Sequence, residues 1–299
     1  MTAARMAHSF KEMHLVNPRK LSLYTVQYLP ADRPATANLI WAHGYGEHVG
    51  RYEKVFSKIA QAGIAVHSFD AEGHGKSDPK DKKSRAVVWK FNNLVDDMYF
   101  VSERLLKESQ TEQLPTFLGG QSMGGLIQAY AALRDQSKWA GLILHSAAID
   151  VEWTPILRMQ APIGGLLGRM TPRARIVPAV RPEDMSEDPK VVEDYLNDPL
   201  NTVGNVPART GAQLLRAFTK LRPKYKQFTL PIYAAHGDTD KCTSLAGVKK
   251  FLQSVSSKDK ELNEVQGGHH ECIIGPQSDA CTQRIIEWIT ERQNPRSKI

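Results

Sequence analysis

No run in this chain approaches the roughly 18 consecutive apolar residues of a membrane-spanning helix, so an integral helical membrane protein is excluded. Cysteine is scarce. Cys242, Cys272 and Cys281 make an odd count of three, which argues against a disulfide-stapled secreted fold and for free thiols. Met1–Lys11 carries basic residues but no apolar h-region, so the expectation is a cytoplasmic chain. No H-E-x-x-H pattern or Cys/His spacing suggests a metal, and no cofactor is expected. The excess positive charge is only +7 and dispersed, without the aromatic-basic patterning of nucleic-acid readers. Repeats and low-complexity tracts are absent as well.

What is present is an alternation of strands and helices. Lys20–Leu29 reads as a strand in an antiparallel hairpin with Met13–Asn17. Asn38–Ala42, Ile64–Phe69, Pro115–Leu118 and Gly141–His145 are short apolar runs of the kind buried in a parallel sheet. Between them Tyr52–Ala62, Val87–Lys107 and Leu126–Leu133 carry helical periodicity. The rhythm then stops, and closely spaced prolines interrupt short helical pieces without a clear strand. It resumes with the Pro231–Ala235 strand, the Leu245–Ser254 helix, the Glu261–Val265 strand and the Ala280–Glu291 helix. The expected fold class is α/β, a mostly parallel central sheet with helices on both faces. Residues 1–146 and 228–299 form its core, with an inserted helical cap over 147–227.

Chemistry concentrates at the strand ends. Gly120-Gln121-Ser122-Met123-Gly124 is a G-x-S-x-G pentapeptide between a strand and a helix, where a tight turn would lift the Ser122 hydroxyl clear of the sheet. Alone, this pattern arises by chance roughly once in ten chains of this length, so its partners decide. Open α/β sheets place functional groups at the carboxyl ends of their strands. Those ends carry His43-Gly44-Tyr45, Asp70, Ser122, His145-Ser146, His236–Asp240 and Gly267–His270. The order serine, acid, histidine is that of an α/β-hydrolase triad. A serine hydroxyl needs a base, histidine serves near neutral pH, and a buried carboxylate fixes the imidazole tautomer. Asp238 and Asp150 are the other acids in range, and His269 is the other base. Gly75-Lys76-Ser77 matches the tail of a phosphate-binding loop, but that motif's first glycine would fall on Asp70, which discards it.

Taken together, Trp41–His48, Asp70–Ser77, Gly119–Gly125, His236–Asp240, His270-Glu271 and the Asp184–Leu200 segment resemble the monoacylglycerol lipases. These belong to the serine-aminopeptidase-like branch of the α/β hydrolases, with lysophospholipase relatives. The likeness runs from about residue 14 to 290. It implies the α/β-hydrolase fold and hydrolysis of monoacylglycerols to fatty acid and glycerol. Ser122 would be nucleophile, Asp240 the acid and His270 the base, with the backbone N–H groups of Tyr45 and Met123 as oxyanion donors. Position 45 departs from the family, which often has a small residue there. His43 is expected to brace the oxyanion loop rather than carry protons.

Trp153–Pro182 contains Arg158, Arg169, Arg173, Arg175 and Arg181 and no acid. Interleaved are Ile156, Leu157, Met159, Ile163, Leu166, Leu167 and Met170. A basic amphipathic lid would rest on an anionic membrane or lipid droplet and line an acyl-chain pocket with Ile156, Met159, Ile163, Leu166, Leu167 and Met170. Lysophospholipase and acyltransferase activities use the same acyl-enzyme logic and stay open. From a different class, a ligand-binding protein on a hydrolase scaffold would leave Ser122 unreactive. Cys242 and Cys272 lie two residues beyond Asp240 and His270, so bulky thiol modification is expected to displace those loops. The terminal Ser297-Lys298-Ile299 resembles the peroxisomal Ser-Lys-Leu address with one branched-chain swap.

Overall fold

The computed structural model describes residues 8–150, 155–178 and 180–293, with side chains from residue 163 onward in the helix that begins at 155. Strands β1 (His8–Val16) and β2 (Ser22–Pro30) form the opening hairpin, followed by β3 (Ala37–Ala42), helix α1 (Glu53–Gln61) and β4 (Ile64–Phe69). Then come α2 (Phe91–Ser109), β5 (Thr116–Gln121), α3 (Met123–Arg134) and β6 (Gly141–His145). The stretch expected as a cap contributes α4 (Pro155–Met170), β7 (Arg175–Val177), α5 (Pro189–Asn197), β8 (Val206–Pro207) and α6 (Ala208–Leu221). The chain closes with β9 (Ile232–Gly237), α7 (Leu245–Ser254), β10 (Lys260–Val265) and α8 (Ser278–Thr290).

Eight strands form one sheet in the order β1-β2-β4-β3-β5-β6-β9-β10. Pairings β1–β2 and β2–β4 are antiparallel and the rest parallel. The chain leaves β3 for β4 on one side and returns to β5 on the other, so the sheet's switch point lies between β3 and β5. Crevices for ligands open at such points. Strands β3 to β6 are buried along their whole length, which explains why they are apolar runs rather than alternating ones. Ile40, Leu118, Leu142 and Leu144 face one layer with residues of α2, α3 and α7. Leu39, Trp41, Phe117 and Ile143 face the other with residues of α1 and α8. A one-residue slip of β5 would exchange Phe117 and Leu118 between these layers. Burial of each such side chain contributes about 1.5–3 kcal/mol, so the register that places the catalytic loops is strongly determined.

Two expectations need correction. Helix α2 starts at Phe91, not Val87. Thr210 Oγ1 accepts the Val88 N–H at 2.9 Å and Gln213 Oε1 accepts the Phe91 N–H at 3.1 Å, so side chains of α6 hold this approach out of the helix. The stretch 147–227 also holds strands: β7 and β8 pair antiparallel. At three and two residues they are too short for alternation to register in the sequence. The end of that stretch is continuous with the core, because Ala217, Leu221 and Tyr225 pack in the same cluster as Leu118 and Leu142. Among the described residues no helix is long and apolar enough to cross a membrane. The terminal Ser297-Lys298-Ile299 lies outside the described residues.

Candidate active site

Ser122 stands between β5 and α3 with φ 51° and ψ −117°. This is a sparsely populated conformation for a residue with a side chain, and it persists only when its surroundings over-determine it. The surroundings here are close backbone. A Cβ on Gly124 would lie 2.0 Å from Ala42 O, and one on Gly120 would lie 2.5 Å from Gly124 C. The two glycines of the pentapeptide therefore let helix α3 cross the sheet, and Ser122 is held at the crossing. Met123 opens the helix, so its N–H is one of the free amides at a helix N-terminus.

The loop after β3 lies against this turn. A Cβ on Gly44 would be 3.4 Å from Ser122 Cβ, and Tyr45 shares a cavity with Ser122 and His270. Its shape is fixed by buried polar side chains. The Ala71 N–H donates to His43 Nε2 at 2.9 Å, so His43 Nδ1 carries the proton and donates to Gly44 O at 2.7 Å. Burial lowers the His43 pKa, consistent with a neutral brace. Asp70 accepts the Val49 and Lys76 N–H groups at 2.8 and 2.7 Å and is likewise structural.

The acid and base are assembled from the loops after β9 and β10. His270 Nδ1 lies 2.9 Å from Asp240 Oδ2, and the carboxylate is fully buried. Asp240 Oδ1 accepts the Cys242 and Thr243 N–H groups at 2.7 and 3.0 Å, and Oδ2 accepts the Thr243 hydroxyl at 2.8 Å. Burial alone would raise its pKa. The adjoining imidazoles of His270 and His236 outweigh burial and hold it far below the carboxylate range. Burial likewise opposes a charged His270, but the Asp240 carboxylate wins and raises its pKa above the ordinary value. Ser122 and His270 face one cavity of about 430 Å³, and the Ser122 hydroxyl makes no hydrogen bond to a described residue. Such links are often open before substrate arrives.

The other candidates lie elsewhere. Asp238 is exposed, Asp150 binds Arg222, and His269 points to Glu187 and Thr239. The lid residues fall differently from the acyl-pocket expectation. The side chains of Ile156 and Met159 lie outside the described ones. Ile163, Leu166 and Met170 are 58, 58 and 71% exposed, Leu167 is partly exposed, and none of the four lines the cavity. Helix α4 turns Gly168 onto α6, where a Cβ would lie 3.0 Å from Ala212 Cβ, so the stripe 163–166–170 faces outward. The cavity takes its cap wall instead from Val180, Met185, Tyr195 and Thr202–Val206.

Three contributors were missed in the sequence. Arg51, almost wholly buried, bonds Glu47 Oε2 at 2.7 Å and both carboxylate oxygens of Glu271 at 2.6 and 2.7 Å. Glu47 accepts the Gly44 N–H, so this bridge ties the oxyanion loop to the residue beside His270. Gln121 Nε2 donates to His270 O at 2.9 Å. His236 Nε2 lies 3.2 Å from Asp240 Oδ2 as a second imidazole on the acid. Glu47 and Glu271 stand in the motifs, but nothing local marks Arg51 as their common partner.

Comparison with known proteins agrees with this geometry. Residues 33–277 match the family described as serine aminopeptidase, S33. Monoglyceride lipase of Rattus norvegicus is 30% identical over 93% of this chain and 90% of its own length. Monoacylglycerol lipase of Mycolicibacterium smegmatis is 28% identical over 84% of this chain and 87% of its own. The crystal structure of Paleococcus ferrophilus monoacylglycerol lipase superposes with a TM-score of 0.78 at 26% identity, covering 90% of this chain and 99% of that one. A soluble variant of monoglyceride lipase from Saccharomyces cerevisiae, with a substrate analog, shares the fold at a TM-score of 0.83 and 19% identity over 98% of each chain. With an α/β-hydrolase sheet, a strained serine at its switch point and these relatives along most of its length, the chain belongs to the serine aminopeptidase S33 family as a monoacylglycerol-lipase-like α/β-hydrolase.

Proposed function

We propose that this chain is a carboxylic ester hydrolase that cleaves monoacylglycerols to free fatty acid and glycerol, with Ser122, His270 and Asp240 as its triad. The observation that carries the reading is His270, held by Asp240 at its back, facing the same cavity as the strained Ser122. The monoglyceride lipases among its relatives supply the substrate class. Ser122 Oγ attacks the ester carbonyl while His270 Nε2 takes its proton. Asp240 holds the imidazole by its Nδ1–H and stabilises the imidazolium. The N–H groups of Met123 and Tyr45 receive the tetrahedral oxyanion, where losing one donor typically costs about 3–4 kcal/mol of barrier stabilisation. Collapse releases glycerol, which takes the proton from His270. Water, activated by the same imidazole, then frees the fatty acid from Ser122.

The exposed stripe Ile163–Leu166–Met170 beside Arg169 supports peripheral docking of α4 on an anionic lipid surface, from which an insoluble substrate would enter. A second reading, lysophospholipid hydrolysis, is favoured by a neighbouring cavity of about 680 Å³. It is lined by Lys76, Lys80, Lys82, Arg85 and Arg175, and it shares Thr202 and Val203 with the serine cavity. A panel of monoacylglycerol, lysophosphatidylcholine, lysophosphatidic acid and diacylglycerol separates the two. Monoacylglycerol should give the highest kcat/KM, and a tenfold preference for a phosphorylated headgroup would replace this reading with the second. Fluorophosphonate labelling of Ser122 tests the triad itself, and an unlabelled serine would reject it.

A further inference from the structure

Behind the catalytic loops lies a second set of reactive side chains that the hydrolysis does not use. One imidazole nitrogen of His145 and the sulfurs of Cys272 and Cys281 all lie within 4.8 Å of one another, and all three residues are buried. They come from the end of β6, the loop just past His270, and helix α8. Their separation along the chain explains why no ligand spacing is visible in the sequence.

The imidazole is prepared for a Lewis acid. Gln121 donates its amide N–H to His270 O at 2.9 Å, which orients its Oε1 toward His145 Nδ1 at 3.1 Å. An amide oxygen only accepts, so Nδ1 carries the proton and Nε2 keeps its lone pair. That Nε2 atom is buried with no partner among the described residues. An unpartnered buried nitrogen carries a desolvation penalty that a ligand would relieve. Burial also holds the His145 pKa down at about 3, so the ring is neutral. Metal-bound histidines are ordinarily oriented in this way by an oxygen acceptor on the other ring nitrogen.

The two thiols complete the donor set. Cys272 Sγ donates to His269 O at 3.1 Å, and Cys281 Sγ lies within 4.8 Å of it. Ser146 Oγ lies 3.8 Å from Cys272 Sγ. Donors on a tetrahedral zinc at about 2.3 Å for sulfur and about 2.0–2.2 Å for nitrogen or oxygen stand roughly 3.5–3.8 Å from each other. The donors of the cluster, within 4.8 Å of one another, would draw in to that spacing around one ion.

We propose that His145, Cys272 and Cys281, with Ser146 as a fourth oxygen donor, form a structural site for one thiophilic cation of the zinc class. Binding exchanges two thiol protons for one divalent ion, so the loaded site carries no net charge and its burial is tolerated. The ion would join β6, the His270 loop and α8 at a single point.

The test uses the full chain. It is unfolded with reductant and chelator, refolded with one equivalent of cobalt(II), and read by thiolate-to-cobalt charge-transfer absorption. Wild type and Cys242→Ala should saturate at one ion per chain. His145→Gln should bind at least tenfold more weakly, and Cys281→Ala should lose the signal. Where refolding of a variant fails, zinc content after purification from zinc-supplemented cells reads the same site: about one ion per chain in wild type and less than a tenth of that in Cys281→Ala. Refolded wild type without charge-transfer bands would overturn the site. So would bands that persist in Cys281→Ala but vanish in Cys242→Ala, which would place the ion on Asp240, Cys242 and His270. An intact mass two hydrogens light, with Cys272 joined to Cys281, would overturn it too.

Discussion

The loops at the sheet's carboxyl edge and the helix α4 region are built in opposite ways. In the loops nearly every polar side chain has an assigned partner, and the partners are buried: Glu47 with Arg51, Arg51 with Glu271, Asp240 with two imidazoles. On α4 the apolar stripe of Ile163, Leu166 and Met170 stands in solvent. Preorganised chemistry requires the first kind of construction, since donors and base must be in place before charge develops. Contact with a lipid surface requires the second, since apolar area must stay available. One region fixes what reaction occurs; under the proposed docking, the other would set where the substrate comes from.

Substitutions in either region can break that division. Ser122→Ala should lower hydrolysis of a short soluble ester by roughly 10⁶-fold and abolish fluorophosphonate labelling. Asp240→Asn should cost about 10⁴-fold in kcat. It should also move the pH profile. The base works only as neutral imidazole, so activity falls as pH drops through the His270 pKa, which Asp240 raises above its ordinary value. Removing the carboxylate leaves burial opposed only by the lesser influences of Glu271 and Cys272, and the acid limb of kcat/KM should shift to lower pH; an unshifted limb would deny that Asp240 sets the base. Arg51→Met leaves Glu47 and Glu271 buried without their cation and should destabilise the fold by about 3–5 kcal/mol, read as a lower midpoint in denaturant. Smallest in chemistry but decisive for the cap is Leu166→Asp with Met170→Asp. Partitioning onto anionic vesicles should fall about tenfold while soluble-ester turnover stays within about twofold. If soluble turnover collapses instead, the stripe belongs to the pocket and the comparison fails.

Legibility in the sequence followed the same divide. Strands β3 to β6 were readable because burial on both faces writes an unbroken apolar run. Ser122 was readable from its pentapeptide, and converging strand ends narrowed the acid and base to a few candidates. The choice of Asp240 over Asp238 and Asp150, and of His270 over His269, came from the family resemblance, and the structure brings that pair within 2.9 Å. Arg51 was not readable, since a buried guanidinium and an exposed one are the same letter and its partners sit 4 and 220 residues away. The outward turn of α4 was not readable either. An amphipathic stripe reports that one face is apolar, but only Gly168 packed on α6 says which way that face looks. The start of α2 was missed because the groups that take the Val88 and Phe91 N–H bonds come from α6, more than a hundred residues later.

The amide of Gln121 has one further consequence. It is the neighbour of the nucleophile in the chain, yet it grips the main chain of the base. A sideways displacement of the strand that carries the hydroxyl is thereby transmitted to the imidazole, so the two wander together. The interval across which a proton must jump then varies less than the position of either group. A replacement that keeps length but not the amide hydrogen would loosen that interval while leaving all three reacting side chains in place.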